Sequence, residues 1–176
     1  MYRILRPGDE AALEAYLRPR LASSMFLLSN MRESGLADGD GRSHGAYAAA
    51  FDGERIVGVV GHFWNGNLLT QSPLEHLDPL WRLAVQASGR EIWGVVAPAD
   101  QAFAVHAGLN VGSQQTRLAD RENLYALTLD ELTIPQALAQ GDVRVRRIEA
   151  HDVEMLTDWR TAYSVETMAQ EATPSL

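Results

Sequence analysis

The chain opens with a short alternation of apolar and polar residues, Tyr2-Arg3-Ile4-Leu5-Arg6, and then changes period, with Ala12, Leu13, Tyr16 and Leu17 at helical spacing. Asp9 stands where it can cap that helix, and Pro19 ends or bends it. Ser23 or Ser24 can restart a helix through Phe26, Leu27, Leu28 and Met31 to Gly35, and Asp38 to Ser43 reads as a charged, glycine-containing loop. From His44 the period falls to that of strands. Gly45 to Phe51 and Arg55 to Val60 flank Asp52-Gly53, whose tolerance of positive φ predicts a tight hairpin, and Asn67 to Gln71 completes a three-strand meander. Leu77, Leu80, Trp81, Leu83, Ala84 and Val85 form a helical stripe ended by Gly89. Glu91 to Val96 reads as a buried strand, and Pro98 or Asp100 opens a helix through Phe103 to Gly108. Asn110 to Arg121 is polar and turn-rich, Asn123 to Asp130 alternates again as a strand, and Ile134 to Ala139 is a short helix. The predicted order is that of a mixed α/β layer structure, an α+β arrangement of sheet and helices.

The opening pattern then returns. Val143-Arg144-Val145-Arg146-Arg147 repeats the alternation of Tyr2 to Arg6 at an offset of 141, while Asp152, Leu156 and Trp159 answer Asp9, Leu13 and Tyr16 at 143, so two residues are added in the second turn. A repeat at domain spacing points to two fused copies of one domain rather than a solenoid. On this reading residues 1–141 are one complete domain, Gln140-Gly141-Asp142 is the boundary, and residues 142–176 are the truncated first strand and helix of a second. Leu156, Trp159 and Tyr163 share a helical face that expects a sheet, so an exposed face there invites a homodimer through the 143–176 tail.

Composition narrows the chemistry. At 176 residues and 46% apolar content the chain can bury a core, and no stretch has the length and apolarity of a membrane span. A protein of the cytoplasm is the expected class. No cysteine is present and all fifteen basic residues are arginine, which removes thiolate chemistry, a Schiff-base lysine and a Walker-type lysine. A net charge of -8 without a basic stripe disfavours nucleic acid as a partner. It suits a cationic small molecule such as an amine, and equally a need for solubility. The five histidines have no metal-ligand spacing, and no Gly-x-Ser-x-Gly elbow is present.

The element order, the Asp52-Gly53 hairpin and the Ala107-Gly108-Leu109 helix end together resemble the Gcn5-related N-acetyltransferase (GNAT) family over Met1 to about Asp130. Phe26 to Asn30, His62 to Asn67 and Trp159 to Tyr163 are similar to stretches of bacterial tandem GNAT proteins. The resemblance implies a central, mostly antiparallel sheet flanked by helices, with acetyl-CoA in a V-shaped opening between the fourth and fifth strands. It implies that the cofactor lies beside Leu69, Thr70 and Gln71, and that a small-molecule amine or peptide acceptor meets Glu33, His62, Trp64 and Asn65. Each acceptor-side residue also has a structural reading: Glu33 as a solvated helix end, Asn65-Gly66-Asn67 as a hairpin turn, Trp64 packed on a sheet edge, and His62 exposed or satisfied in the core.

The sequence departs from the family at two functional points. Where the family's glycine-rich turn offers N–H groups to pyrophosphate, this chain reads Gln71-Ser-Pro-Leu-Glu-His-Leu-Asp-Pro-Leu80, with two prolines and two acids and no glycine. At the position of the tyrosine that would protonate the leaving thiolate stands Ala104, and His106 is turned about 200° away around the helix. Two readings follow: an acetyl-CoA-dependent N-acetyltransferase whose chemistry belongs to the second domain, this chain being weak or inactive alone, or a non-catalytic module for ligand binding, regulation or dimerisation.

Overall fold

A computed structural model describes residues 1–112 and 116–168. The chain divides into two compact units, Met1–Val111 and Gly112–Leu176. The first is mixed α/β. Its strands β1 (Tyr2–Ile4), β2 (Gly45–Asp52), β3 (Arg55–Phe63), β4 (Asn67–Gln71) and β5 (Gly94–Val96) form one five-stranded sheet in sequence order. The first four are antiparallel to their neighbours, and β5 joins β4 in parallel with Leu69 opposite Val96 at the last paired position. Helices α1 (Glu10–Leu17) and α2 (Leu21–Ser34) cover one face, and α3 (Leu74–Ser88) and α4 (Ala99–Leu109) cover the other.

The β2–β3 alternation explains the two-sided core. Tyr47, Ala49 and Phe51 face Leu13, Tyr16, Leu27 and Leu28, while Ala48 and Ala50 face Leu77, Leu80 and Trp81. Ala48 and Ala50 keep the α3 side of β2 free of bulk, which lets α3 approach closely. The hairpin loop is Gly53-Glu54, with Asp52 opposite Arg55 as the closing pair, one residue later than the sequence suggests; Gly53 takes φ 57°. α2 begins at Leu21, directly after a 3-10 turn over Arg18–Arg20, because Pro19 supplies the helical φ there without needing an N–H partner.

Asp9 does not cap α1 through its side chain. Its carboxylate turns back to accept two hydrogen bonds from the Arg3 guanidinium, at 2.6 and 2.8 Å, and one from the Arg6 N–H at 2.8 Å. The paired guanidinium, with the Arg6 amide, lowers its pKa to about 2. This clasp ties the end of β1 to the start of α1, and Arg3 also lies 4.4 Å over the Phe51 ring.

Among its described residues the second unit contains a short helix, α5 (Gln136–Gln140), a longer one, α6 (Val153–Met168), and 3-10 turns at Leu129–Glu131 and Ala150–Asp152. Neither the strand expected at 123–130 nor the one expected at 143–147 forms. Leu124, Tyr125, Leu127 and Leu129 are all exposed, and an alternating segment with no neighbouring strand cannot satisfy its backbone as sheet. Yet the clasp recurs. Arg146 donates two bonds of 2.7 Å to the Asp152 carboxylate, which also accepts the Glu149 N–H at 2.8 Å and is likewise lowered to about 2 by the guanidinium. The repeat therefore has one offset, 143, and not two: Arg3, Arg6, Asp9, Leu13 and Tyr16 correspond to Arg146, Glu149, Asp152, Leu156 and Trp159. The end of the expected tail, residues 169–176, lies outside the described residues. Among the described residues no helix is long and apolar enough to cross a membrane.

Candidate functional site

A shallow concavity of the first unit is built on the turn between β3 and β4. A shallow cleft of about 270 Å³ is lined by Trp64, Asn65, Gly66, Arg90, Glu91 and Trp93. Asn65 shapes the turn by accepting the Asn67 N–H on its side-chain oxygen at 3.2 Å, and Gly66 N–H closes it on the Phe63 carbonyl at 2.9 Å. Gly66 takes φ 73° and lies against the Trp93 ring and the Glu91 carbonyl with no room for a Cβ, so glycine is required there twice over. Trp93 N–H then donates to the Gly66 carbonyl at 2.8 Å, which fixes the segment before β5 beside the turn. Trp64 rests edge-on against Phe63, and Trp93 is 79% exposed. An indole held so openly at a cleft is an unusual surface for a side chain with no core duty.

The charges of the cleft are arranged unequally. Arg90 is spent: its guanidinium makes bonds of 3.0 and 2.9 Å to Asp38 and a third of 2.7 Å to the Gly39 carbonyl, which anchors the 38–44 loop. Glu91 is exposed, and among the described residues its carboxylate makes no hydrogen bond or ion pair. Two indoles and a carboxylate around a neutralised arginine can attract a cation by its π-faces and by charge.

His62, wholly buried in β3, is joined to this turn from below. Its Nδ1 is 2.6 Å from Ser88 Oγ at the end of α3, while Nε2 has no partner. Burial lowers its pKa, the Gly66 and Glu91 carbonyls oppose that shift, and Arg90 adds to it. His62 is thus a half-satisfied core histidine. Ser88 Oγ also donates to the Val85 carbonyl at 3.1 Å and accepts the Arg90 N–H at 3.3 Å, so the helix end, the arginine and the histidine share one hydroxyl.

The residues assigned to the acceptor side therefore separate. Trp64 and Asn65 line the cleft, and His62 lies beneath it. Glu33, at the end of α2, instead accepts the Ser43 hydroxyl at 2.6 Å and is not part of the lining. The cofactor-side residues lie further along β4. Leu69 is core. The Gln71 carbonyl accepts the Tyr16 hydroxyl at 3.0 Å, and its side-chain oxygen accepts Ser23 and Ser24 at 2.7 and 3.0 Å. Thr70, 1% exposed, donates at 2.7 Å to the side-chain oxygen of Gln101, which also accepts the Ser72 N–H at 3.0 Å.

Gln101 went unread in the sequence, and so did Arg90, Glu91 and Trp93 as lining groups. It projects from the first turn of α4 and reaches β4 immediately past the last β4–β5 pair. A glutamine near a helix start carries no signal of that reach; only the parallel placement of β5 brings α4 to the end of β4. The start of α3 shows a second constraint. Pro73 is its N-cap, Glu75 is in its first turn, and Pro79 inside it lacks the N–H that would have bonded the Glu75 carbonyl. An anion is poorly served at such a helix start. Among the described residues no group of three or more metal-ligating side chains occurs. No protein-family model matches the chain, and no curated protein or solved structure matches it with significance.

Proposed function

We propose that the Met1–Val111 unit is a non-catalytic ligand-binding module with the layout of a Gcn5-related N-acetyltransferase, and that its ligand is a small cationic amine taken at the Trp64–Trp93 cleft. The observation that carries the reading is Gln101. If acetyl-CoA were to enter between β4 and β5, its path would begin where their pairing stops, and there the Gln101 oxygen already accepts Thr70 and the Ser72 amide. A cofactor would have to displace a side chain that is 6% exposed and break both bonds. The proline-capped, acidic start of α3 argues in the same direction. The cleft supports an amine through its two indoles and the exposed Glu91, with the Arg90 charge taken up by Asp38.

One observation favours the transferase reading instead: four antiparallel strands followed by a parallel fifth is the sheet that this reading requires. Calorimetry separates the two. The first reading expects no heat from acetyl-CoA up to about 1 mM, and saturable quenching of indole fluorescence by a small alkylammonium such as choline that is lost in Trp93→Ala. Micromolar binding of acetyl-CoA to the unaltered chain overturns it. The reading places the protein in the cytoplasm, without nucleic acid as a partner.

A further inference from the structure

We infer that His62 is a proton-operated latch beneath the Trp64–Trp93 cleft: neutral, it leaves Nε2 bare toward the Glu91 carbonyl, and protonated, it donates to that carbonyl and draws residues 91–93 onto the β3–β4 turn. The latch belongs to the unliganded protein and stands whatever the cleft binds.

The hydroxyl of Ser88 assigns the proton of the neutral ring. Ser88 Oγ has one hydrogen, which it donates to the Val85 carbonyl at 3.1 Å, and it accepts the Arg90 N–H at 3.3 Å. Toward His62 it is therefore an acceptor, and the 2.6 Å contact is Nδ1–H donating to Oγ. Nε2 is then a bare lone pair, without a partner in a side chain that is 0% exposed. The opposite tautomer would bury an N–H with no acceptor in line, and orphaned buried donors are rarer than under-satisfied acceptors.

The surroundings of the ring supply the other half. The Gly66 and Glu91 carbonyls lie close enough to favour its charged form, and with Nδ1 committed to Ser88, Nε2 is the nitrogen left to them. The Gly66 carbonyl already accepts the Trp93 N–H at 2.8 Å, whereas among the described residues the Glu91 carbonyl accepts no hydrogen bond. It lies against the turn, 2.7 Å from where a Cβ on Gly66 would stand. Two acceptors so placed repel each other, and one proton on Nε2 satisfies both. Few charges compete with that proton. Ala46 on β2 and Leu68 on β4 are the cross-strand neighbours of His62, and α3 contributes Ser88. Arg90 opposes the added charge, and Asp38, its salt-bridge partner, favours it. Because Ser88 Oγ also holds the Arg90 amide, the protonated ring grips residues 88–91 at both ends, and Trp93 follows through its bond to Gly66.

Nuclear magnetic resonance of the full chain, with its histidines and tryptophans isotope-labelled, reads the latch from about pH 8 down to about pH 5. At the upper end Nδ1 should carry the proton and Nε2 none. On acidification Nε2 should gain one with a midpoint below about 6.5, and the Trp93 amide and indole resonances should shift with the same midpoint. His62→Gln should abolish that Trp93 shift. His44→Gln should keep it, although the His44 carbonyl accepts the Trp64 N–H at 3.0 Å on the other side of the turn. Ser88→Ala removes the acceptor of Nδ1, so the neutral ring should carry its proton on Nε2 and hold Trp93 at its acid position already near pH 8. A neutral ring protonated at Nε2 in the unaltered chain overturns the inference. So does a Trp93 that stays still while His62 titrates, or a His62 that remains neutral until the protein unfolds in acid. A Trp93 shift that survives His62→Gln, or a Trp93 left at its neutral position in Ser88→Ala, overturns it as well. The readouts of the unaltered chain decide alone if either variant fails to fold.

Discussion

Residues 2–17 and residues 145–160 carry the same clasp and meet opposite fates. Both hold an aspartate against a bidentate arginine and a backbone amide, with bonds between 2.6 and 2.8 Å. In the first copy the residues before the clasp are a strand and the helix after it is half buried; in the second no strand forms and Ile148 and Trp159 are exposed. The difference separates two kinds of information. The clasp is written within seven residues and forms in either setting. The strand is a property of the pair β1–β2, and without a partner backbone the same kind of sequence does not become one.

The largest expected contrast is in the apolar contacts. Tyr16→Ala should cost about 3–5 kcal/mol of stability, because it removes a buried ring and leaves the Val57 and Gln71 carbonyls without their donor. Trp159→Ala at the matching position should stay within about 0.5 kcal/mol. Denaturant melts of the two variants measure both, and equal losses would break the comparison by showing that the second helix is packed in solution. Next in size, Asp9→Ala should destabilise the first unit by about 1–3 kcal/mol through the loss of charge-assisted bonds. Asp152→Ala should leave the main transition unmoved and show only reduced helicity in far-ultraviolet circular dichroism.

Acid titration sharpens the comparison further. Both carboxylates are lowered to about 2. Each clasp therefore contributes fully above the ordinary aspartate pKa of about 3.9 and is lost as pH falls toward about 2. Carboxyl carbon shifts in nuclear magnetic resonance should give both aspartates the same low midpoint; an Asp152 midpoint near the ordinary value would mean that the second clasp needs a sheet after all. The smallest effect belongs to His62, which has no equivalent in the second unit. Its folded pKa lies below the ordinary value of about 6.5, so the stability that its neutral form supplies is present above that pH and lost as pH falls below it. His62→Gln should flatten the stability profile over that interval, measured as the pH dependence of the denaturation midpoint.

Much of the first unit was legible because its signals are local. Helix α3 follows from a stripe ended by Gly89, whose φ of 65° suits its place after the last turn, and the β2–β3 hairpin follows from alternation around Gly53. The strand proposed at 123–130 carried an equally clean alternation and failed, because period describes a face and not the presence of a neighbour. The same limit applies to the cleft. Trp64 and Asn65 were readable from the turn they build, whereas Arg90, Glu91 and Trp93 arrive through the Trp93–Gly66 hydrogen bond. The same limit gives the repeat two offsets on alternation alone, which aligns Val143 with Tyr2; the hydrogen bonds of Asp9 and Asp152 fix the single register.

The clasp also bears on the order in which the protein can take shape. Arg3 and Asp9 are six residues apart, while β1 must wait for Ala48 to Ala50 before it has anything to pair with. Closing the short loop costs little entropy and is fast; closing the long one is neither. During synthesis the first turn can thus be set while the rest of the sheet is still inside the ribosome, so that the hairpin, once made, meets an edge strand and helix already joined at the correct angle.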